Sequence, residues 1–226
     1  MAASLPGALS LVFAVAEAPI ARAANIAPAV SVTADPAKIS GTTWTNDGSS
    51  GTNVTLSATG LYSAAESAVV FNATAASTNY ATGSAGSTSG DTATTLEFYM
   101  KLPPSQWTTA PSYGMLFGWN GGTYGIFNRT NGIGFNTNLG EIYGIPTSGL
   151  LNNYHHFTFV MSTSSTDGAQ KIYIDGVQQP LGFMQGVSQN QAVKVFESTG
   201  AFSIARFGTN GTPFYGYEFI KSFKLY

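Results

Sequence analysis

Asn-Gly and Asp-Gly pairs recur along this chain and divide it into short segments. They stand at Asp47-Gly48, Asn120-Gly121, Asn131-Gly132, Asp167-Gly168, Asp175-Gly176 and Asn210-Gly211. Such pairs adopt the positive φ values of tight hairpins at little cost. Between them apolar and polar residues alternate, most clearly over Leu96–Leu102, where every even position is apolar. Since no convincing amphipathic helix interrupts this pattern, the chain is predicted to be all-β.

The segments between the turns predict many short strands, as in a β-sandwich or jelly roll. The candidates are Val30–Thr33, Val54–Ala58, Ala68–Asn72, Thr94–Leu102, Gly114–Trp119, Tyr124–Asn128, Gly132–Asn136, His155–Ser162, Lys171–Asp175, Val193–Phe196, Ala201–Phe207 and Tyr217–Tyr226. Ala73–Thr92 is almost entirely Ala, Ser, Thr, Gly and Asn. That composition is typical of a disordered linker, but the strands on both sides favour a long loop between sheets.

Composition excludes several classes of function. Only 9% of the 226 residues are charged and the net charge is −2, so the chain lacks the basic patch of a nucleic-acid-binding protein. No apolar run reaches the length of a membrane-spanning helix. Cysteine is absent, which excludes disulfides and thiolate metal sites. A hydrophobic content of 43% excludes simple disorder, and one domain accommodates this length.

Residues 1–28 differ from the rest, being rich in Ala and poor in Gly and Asn. We interpret them as an N-terminal arm, preceding a domain over residues 29–226. Its apolar side chains would anchor on a neighbouring surface; they are Leu9, Leu11, Val12, Phe13 and Val15. One alternative is a strand covering the domain's own sheet. Another is a secretory signal cleaved after Ala23, although no Lys or Arg precedes Arg22 to form its basic region.

Several segments are similar to a known family when they are taken in order over residues 41–226. They are Gly41–Gly51 (GTTWTNDGSSG), Val54–Leu56, Ser67–Asn72 (SAVVFN), Thr95–Lys101 (TLEFYMK), Tyr154–Val160 (YHHFTFV), Lys171–Gly176 (KIYIDG) and Ile220–Tyr226 (IKSFKLY). Together they resemble the LamG-like branch of the concanavalin A-like jelly rolls. The resemblance implies a jelly-roll β-sandwich with Trp44 in its core. Modules of this kind are frequent in phage structural proteins.

The chain departs from the family pattern at its acidic positions. Asn72 stands where the family usually has Asp, and Lys221-Ser222 replaces an Asp-Glu pair. Calcium needs six to eight oxygen ligands, several of them carboxylates. A calcium site is therefore not favoured, and the aspartates at the turns, Asp47, Asp91, Asp167 and Asp175, are interpreted as turn formers. We expect no cofactor and no metal.

Catalysis is not expected either. Glycosidases of the wider superfamily need two carboxylates flanking the scissile bond, but no acidic pair occurs at i, i+2 and Glu97 is isolated on its strand. His155 and His156 are the only histidines. Consecutive strand residues point to opposite faces, so this pair is not suited to chelate one ion.

Aromatic residues in segments rich in Gly and Asn suggest a surface for sugars, because sugar rings stack on aromatic faces while their hydroxyls find polar partners. Gly118–Gly125 (GWNGGTYG) is the most plausible ligand-facing rim. The candidate residues are Trp107, Trp119, Asn120, Tyr124 and Tyr143. The alternative is that Trp119 closes the core and Tyr124 starts a hairpin.

Two functions remain open. The first is a non-catalytic virion component of a bacteriophage, such as a capsid decoration, knob or fibre protein. It would assemble in the bacterial cytoplasm as a homo-oligomer and contact other capsid proteins through its arm and its low-charge surface. The second is a secreted or cell-surface carbohydrate-binding module. An intact N-terminus in the mature protein would favour the first, and cleavage after Ala23 would favour the second.

Overall fold

The computed structural model describes residues 26–71, 79–86, 93–103, 114–119, 125–129, 132–136, 142–162, 170–185, 200–206 and 218–226. The candidate arm residues Leu9, Leu11, Val12, Phe13 and Val15 lie outside these ranges, as does the predicted strand Val193–Phe196. The division into an arm over 1–28 and a domain over 29–226 therefore stays a prediction.

Strands dominate the described part of the chain, as the alternation predicts. They are β1 Val30–Thr33, β2 Ile39–Ser40, β3 Thr43–Trp44, β4 Val54–Leu56, β5 Tyr62–Ser63, β6 Ala68–Val70, β7 Ala81–Ser84, β8 Ala93–Lys101, β9 Gly114–Trp119, β10 Gly125–Arg129, β11 Gly132–Asn136, β12 Ile142–Pro146, β13 Tyr154–Ser162, β14 Lys171–Ile174, β15 Val177–Gln179, β16 Gly182–Gln185, β17 Ala201–Ile204 and β18 Phe219–Leu225. A single 3-10 turn, Pro36–Lys38, precedes β2. Among these residues, no helix is long and apolar enough to cross a membrane.

Two antiparallel sheets form a β-sandwich, which confirms the predicted fold class. In the described residues, the eight-stranded sheet has the order β15-β14-β13-β8-β18-β6-β5, with β1 pairing beside β18. The ten-stranded sheet has the order β16-β12-β11-β10-β9-β17-β7-β4-β3-β2. The Asp175-Gly176 hairpin is confirmed: both residues have positive φ, 50° and 82°, and they join β14 to β15.

The prediction of a long loop over Ala73–Thr92 is wrong at its centre. Strand β7 lies inside that stretch and pairs with both β17 and β4. Its small residues belong there, because the Phe202 ring on β17 lies over Gly83, where a Cβ atom would overlap it. An aromatic ring covering a cross-strand glycine restores the packing that the glycine lacks. Over Ala81–Ser84 the small residues therefore form a strand rather than a loop or a linker.

Aromatic rings join the two sheets at the core. Phe223 on β18 lies 4.8 Å from Phe98 on β8, measured between ring centroids. Across the sandwich it lies 5.6 Å from Phe202 and 5.8 Å from Phe117. Phe98, Phe117 and Phe223 are fully buried. Ring pairs at these distances add to the free energy gained by burial itself, so this cluster helps to hold the layers together.

The Trp44 region closes one corner of the sandwich. The Trp44 side chain is fully buried, as predicted, and its Nε1 donates to the Thr33 carbonyl at 2.7 Å. Asn46 Oδ1 accepts from the backbone N–H of Ser31 at 2.7 Å and from that of Gly48 at 2.8 Å. Because Asn46 satisfies donors on both segments, it holds the turn after β3 against β1.

Candidate functional site

The charged residues of the described strands lie mainly on one sheet. In the eight-stranded sheet they are Glu97, Lys101, Lys171, Lys221 and Lys224, whereas the described strands of the ten-stranded sheet contain Arg129 alone. In a chain with so few charges, this asymmetry makes the outer face of the eight-stranded sheet the candidate site.

Strand β8 runs between β13 and β18, and the register aligns their outward residues in three rows. One row is Tyr154, Lys101 and Phe219; the second is His156, Tyr99 and Ser222; the third is Thr158, Glu97 and Lys224. Successive residues of a strand face opposite sides, and the alternating partners such as Phe98, Met100 and Phe157 are buried in the core. We call these nine residues, together with Lys221, the Tyr99 face.

A bulge in β18 adds Lys221 to this face. The register with β8 shifts between Ile220 and Ser222, so Ile220 pairs with Met100 and Ser222 with Tyr99. Ile220 and Phe223 are both buried, while Lys221 and Ser222 between them are both half-buried. Regular alternation would turn one of those two residues inward. The extra residue therefore places two consecutive polar side chains on the outer side.

The first row is tightly connected through Glu66, which lies in the turn after β5. Lys101 Nζ is 2.7 Å from Glu66 Oε2, and the Tyr154 hydroxyl donates to the same oxygen at 3.1 Å. The Lys101 side chain is only 13% exposed and its Nζ lies 4.6 Å from the centroid of the Phe219 ring. The hydrogen bond from Lys101 holds the pKa of Glu66 below its usual value. This row is thus a pre-assembled border beside Tyr99.

Tyr154 is held in its protonated form. Burial, followed by the hydrogen bond to the Glu66 carboxylate, raises the pKa of Tyr154 well above its usual value. The Tyr154 hydroxyl therefore serves as a hydrogen-bond donor to Glu66, and its ring packs beside that of Tyr99.

The third row is more loosely connected. Glu97 Oε2 lies 3.7 Å from His156 Nε2 and 3.7 Å from Lys224 Nζ. The Tyr226 hydroxyl approaches the same oxygen at 3.4 Å. Burial and the Glu97 charge raise the pKa of Tyr226. Because 3.7 Å exceeds the usual length of a charge-assisted hydrogen bond, the carboxylate retains capacity to accept hydrogen bonds from a ligand.

Tyr99 lies at the centre of these rows and is 40% exposed, one of the few exposed large hydrophobic residues in the described chain. Its ring centroid lies 5.6 Å from that of Tyr154, with an interplanar angle of 43°. An exposed ring bordered by a carboxylate, an imidazole and a hydroxyl can stack on an apolar ring and hydrogen-bond its substituents.

The two histidines have separate roles. The His155 side chain is 20% exposed and its Nδ1 lies 2.7 Å from Asp175 Oδ2, whereas His156 is 43% exposed and belongs to the Tyr99 face. Asp175 Oδ1 also accepts from the His156 backbone N–H at 2.9 Å. Among the described residues, no group of three or more His, Cys, Asp or Glu is placed to hold a metal ion.

The Asp175 interaction predicts a pH dependence. Hydrogen bonds from His155 and the His156 backbone hold the pKa of Asp175 below its usual value. The carboxylate's contribution to stability is therefore complete above its unfolded pKa of about 3.9 and is lost as the pH falls through the lower folded value. We expect Asp175→Asn to cost about 0.5 kcal/mol near pH 7, because the pair is exposed. Thermal unfolding of both proteins should show this gap shrinking below about pH 3.5; a gap that is constant with pH would contradict the assignment.

The rim predicted from the sequence is not assembled by the described residues. Trp107, Asn120 and Tyr124 lie outside the described ranges, and only the backbone positions of Trp119 and Tyr143 are placed. Trp119 ends β9 and Tyr143 lies on β12, with β10 and β11 between them. The glycan role of the rim stays a prediction.

Sequence reasoning missed the Tyr99 face although part of its signal was present. The alternation over Leu96–Leu102 already directs Glu97, Tyr99 and Lys101 to the side opposite the apolar residues. Nothing local indicates that β13 and β18 flank that strand. Nor does the sequence indicate that Glu66 reaches Lys101 and Tyr154.

No protein-family model and no curated protein sequence matches the chain. Solved structures do match it. The binding domain of botulinum neurotoxin serotype D is 10% identical, with a TM-score of 0.53, over 88% of this chain and 47% of that one. A botulinum neurotoxin type C structure, described as showing cell entry dependent on interaction with two ganglioside molecules, is 14% identical, with a TM-score of 0.51, over 88% and 47%. Trypanosoma rangeli sialidase in complex with sialic acid is 13% identical, with a TM-score of 0.51, over 87% and 30%.

These similarities concern the fold. The chain spans about half the length of the toxin structures and less of the sialidase. They agree with a β-sandwich of jelly-roll type, which is the coarse part of the resemblance seen in the sequence. The finer LamG-like assignment is matched by no family model. Since one of the similar structures is an enzyme, the expectation of a non-catalytic protein stays a prediction.

Proposed function

We propose that this chain is a carbohydrate-binding module whose ligand stacks a sugar ring on Tyr99. One observation carries the proposal: an exposed tyrosine ring lies at the centre of a rigid three-strand surface and is bordered by Glu97, His156 and Ser222. The apolar face of a pyranose packs on an aromatic ring, while its hydroxyls need donors and acceptors at the edge of that ring.

The strands supply the rigidity that such a site needs. Tyr99 is near the middle of the paired length of β8, which is hydrogen-bonded on both sides. The Tyr154 ring beside it is fixed by Glu66 and Lys101. A surface that is ordered before binding loses little conformational entropy when the ligand arrives.

The similar structures support a binding role for this fold. A toxin among them enters cells in a manner described as dependent on gangliosides, and the sialidase is in complex with sialic acid. These descriptions belong to those proteins, which are at least twice as long as the part matched here. They show that sandwiches of this shape occur in proteins that engage glycans.

We propose a non-catalytic role at this face. Glu66 reaches Lys101, and Glu97 lies four residues away from Lys101 along β8, which is about 13 Å of strand. The carboxyl pairs of glycosidases are about 5–9.5 Å apart. The Glu97 position and the Lys101 position that Glu66 contacts are farther apart along the strand than such a pair, which supports a non-catalytic role.

Tyr99→Ala tests the proposal. We expect it to weaken binding of the best ligand on a glycan array by about tenfold to thirtyfold, the effect of removing one stacked ring, as measured by isothermal titration calorimetry. Tyr80→Ala is the matched control: Tyr80 lies on the other sheet, next to Arg206, and its loss should leave affinity unchanged. Unchanged binding by Tyr99→Ala, or no glycan bound by the unaltered protein, would contradict the proposal.

A second candidate is the virion component predicted from the sequence. The observation that favours it is the low charge of the ten-stranded sheet, whose described strands contain Arg129 alone. Such a sheet has little charge to desolvate against a capsid neighbour. In this candidate the chain is a homo-oligomer bound to the capsid, its arm is intact and it is found in the virion. A mature protein that begins at Ala24 would instead indicate a secreted or cell-surface protein. A fixed ratio to capsid protein in purified particles, without glycan binding, would favour this candidate.

A further inference from the structure

We infer that the ligand of the Tyr99 face carries a carboxylate, and that Lys221 binds it. This inference rests on the proposed function and specifies its substrate class: a glycan with one acidic sugar rather than a neutral one. Two features of the molecule support it: the charge balance of the face and the geometry that places Lys221 there.

Lys221 differs from the other lysines of the face in having no carboxylate within salt-bridge distance, although its charge acts on Glu66 from farther away and contributes to the lowered pKa of that carboxyl. Lys101 is 2.7 Å from the Glu66 carboxylate, and Lys224 is 3.7 Å from that of Glu97. Within the described chain, no carboxylate oxygen lies within 4.0 Å of Lys221 Nζ. Three lysines thus face two glutamates, which leaves one positive charge on this surface of a chain whose net charge is −2.

The bulge in β18 explains why this lysine is available. Because the bulge adds a residue between Ile220 and Ser222, Lys221 joins the outer face without displacing Ser222 from its position beside Tyr99. Bulges commonly re-aim a side chain next to a functional site. A regular strand would offer either the hydroxyl or the ammonium group, and this strand offers both.

Lys221 lies within reach of a sugar stacked on Tyr99. Its Nζ is 4.1 Å from the centroid of the Tyr154 ring, and that ring is 5.6 Å from the ring of Tyr99. The ammonium group is therefore no more than about 10 Å from the centroid of the Tyr99 ring, and its four-carbon chain is flexible. Its place over the Tyr154 ring, where it is attracted by the π-electrons, orients it without neutralising it.

The charge argues for one acid group rather than a polyanion. A long acidic polymer is bound by many cations that release its counterions, whereas on the Tyr99 face Lys221 alone has no carboxylate within 4.0 Å. The carboxylate could belong to a sialic acid or to a uronic acid. Both present the same group to Lys221, and they are distinguished by the choice of probe.

The test compares 3′-sialyllactose, lactose and a hyaluronan tetrasaccharide by isothermal titration calorimetry with the full chain. We expect an acidic probe to bind about tenfold more tightly than lactose, the worth of one well-placed ion pair. Lys221→Ala should abolish the preference for the acidic probe over lactose. Lys171→Ala is the matched control. Lys171 lies on β14 of the same sheet, where it pairs with Val160 of β13, away from the Tyr99 face. Like Lys221, it has no carboxylate within 4.0 Å in the described chain.

Lys221→Met keeps the apolar chain over Tyr154 and removes only the charge, so it separates charge from packing if Lys221→Ala proves unstable. Preference for sialyllactose identifies a sialic acid as the source of the carboxylate, and preference for hyaluronan identifies a uronic acid. Equal affinity for lactose and both acidic probes, with Tyr99→Ala still weakening binding, would overturn the inference and leave the proposed function standing. Binding of no glycan by the unaltered protein would instead overturn the proposed function.

Discussion

Phe223→Ala is expected to lower the free energy of unfolding by about 3–5 kcal/mol, the usual cost of deleting a buried aromatic ring. The ring is fully buried and touches rings of both sheets, with centroids 4.8 Å from Phe98, 5.6 Å from Phe202 and 5.8 Å from Phe117. The cavity would open between the layers, where three rings lose contacts at once. Since domains are stable by only about 5–15 kcal/mol, much of that margin would be lost.

Urea denaturation followed by tryptophan fluorescence measures the change. Ser222→Ala is the control on the same strand: Ser222 is half-buried on the outer face, and its replacement should change stability by no more than about 0.5 kcal/mol. A loss below about 1.5 kcal/mol for Phe223→Ala would show that the sheets close over the gap, and it would contradict the expected cost.

Gly144→Ala is expected to lower the free energy of unfolding by about 3 kcal/mol, the upper end of the usual cost of overpacking. Gly144 pairs with Gly134 on β11. A Cβ atom there would lie 2.5 Å from the Gly134 Cα and 2.7 Å from the Ile133 carbonyl carbon. These are backbone atoms of a paired strand, so no side chain can rotate away to relieve the overlap.

Gly182→Ala is the matched control for this substitution. Gly182 pairs with Gly144 from the other side, on β16, yet nothing lies within 4 Å of the Cβ atom that alanine would add. Replacing a strand glycine in open space reduces the entropy of the unfolded chain, so we expect a gain of about 0.5 kcal/mol. Urea denaturation of the two variants should therefore give changes of opposite sign. If Gly144→Ala were as stable as Gly182→Ala, this would contradict the close contact between Gly144 on β12 and the backbone of β11.

Much of the fold could be predicted from local patterns. The bounds of β1, β9 and β11 coincide with the predicted strands, and the turn at Asp175-Gly176 has the positive φ values that its residue types favour. The prediction failed over Ala81–Ser84, because small residues there carry no hydrophobic signal of their own. Their strand exists since Phe202 fills the space above Gly83, and that partner is more than a hundred residues away in the chain.

The candidate site was less accessible to such reasoning. The sequence suggests sugar-binding aromatic residues in segments rich in Gly and Asn, such as Trp107 and Trp119. Among the described residues, the exposed ring with a polar border is instead Tyr99, which lies within a strand. From the sequence alone, a residue within a strand is readily interpreted as part of the framework, because its neighbours on adjacent strands are not known. The functional candidates here come from four separate segments of the chain: β8, β13, β18 and the turn that contains Glu66.

The sequence by itself determined that the chain is a β-sandwich and that Glu97, Tyr99 and Lys101 share one face of β8. Both follow from local physics: strand geometry has a period of two, and Asn-Gly and Asp-Gly pairs favour tight turns. Only the tertiary structure decided that β13 and β18 flank β8, that Glu66 holds Lys101, and that a bulge turns Lys221 outward. Strand order and register depend on how distant apolar faces pack together, so these choices are not encoded within any one segment.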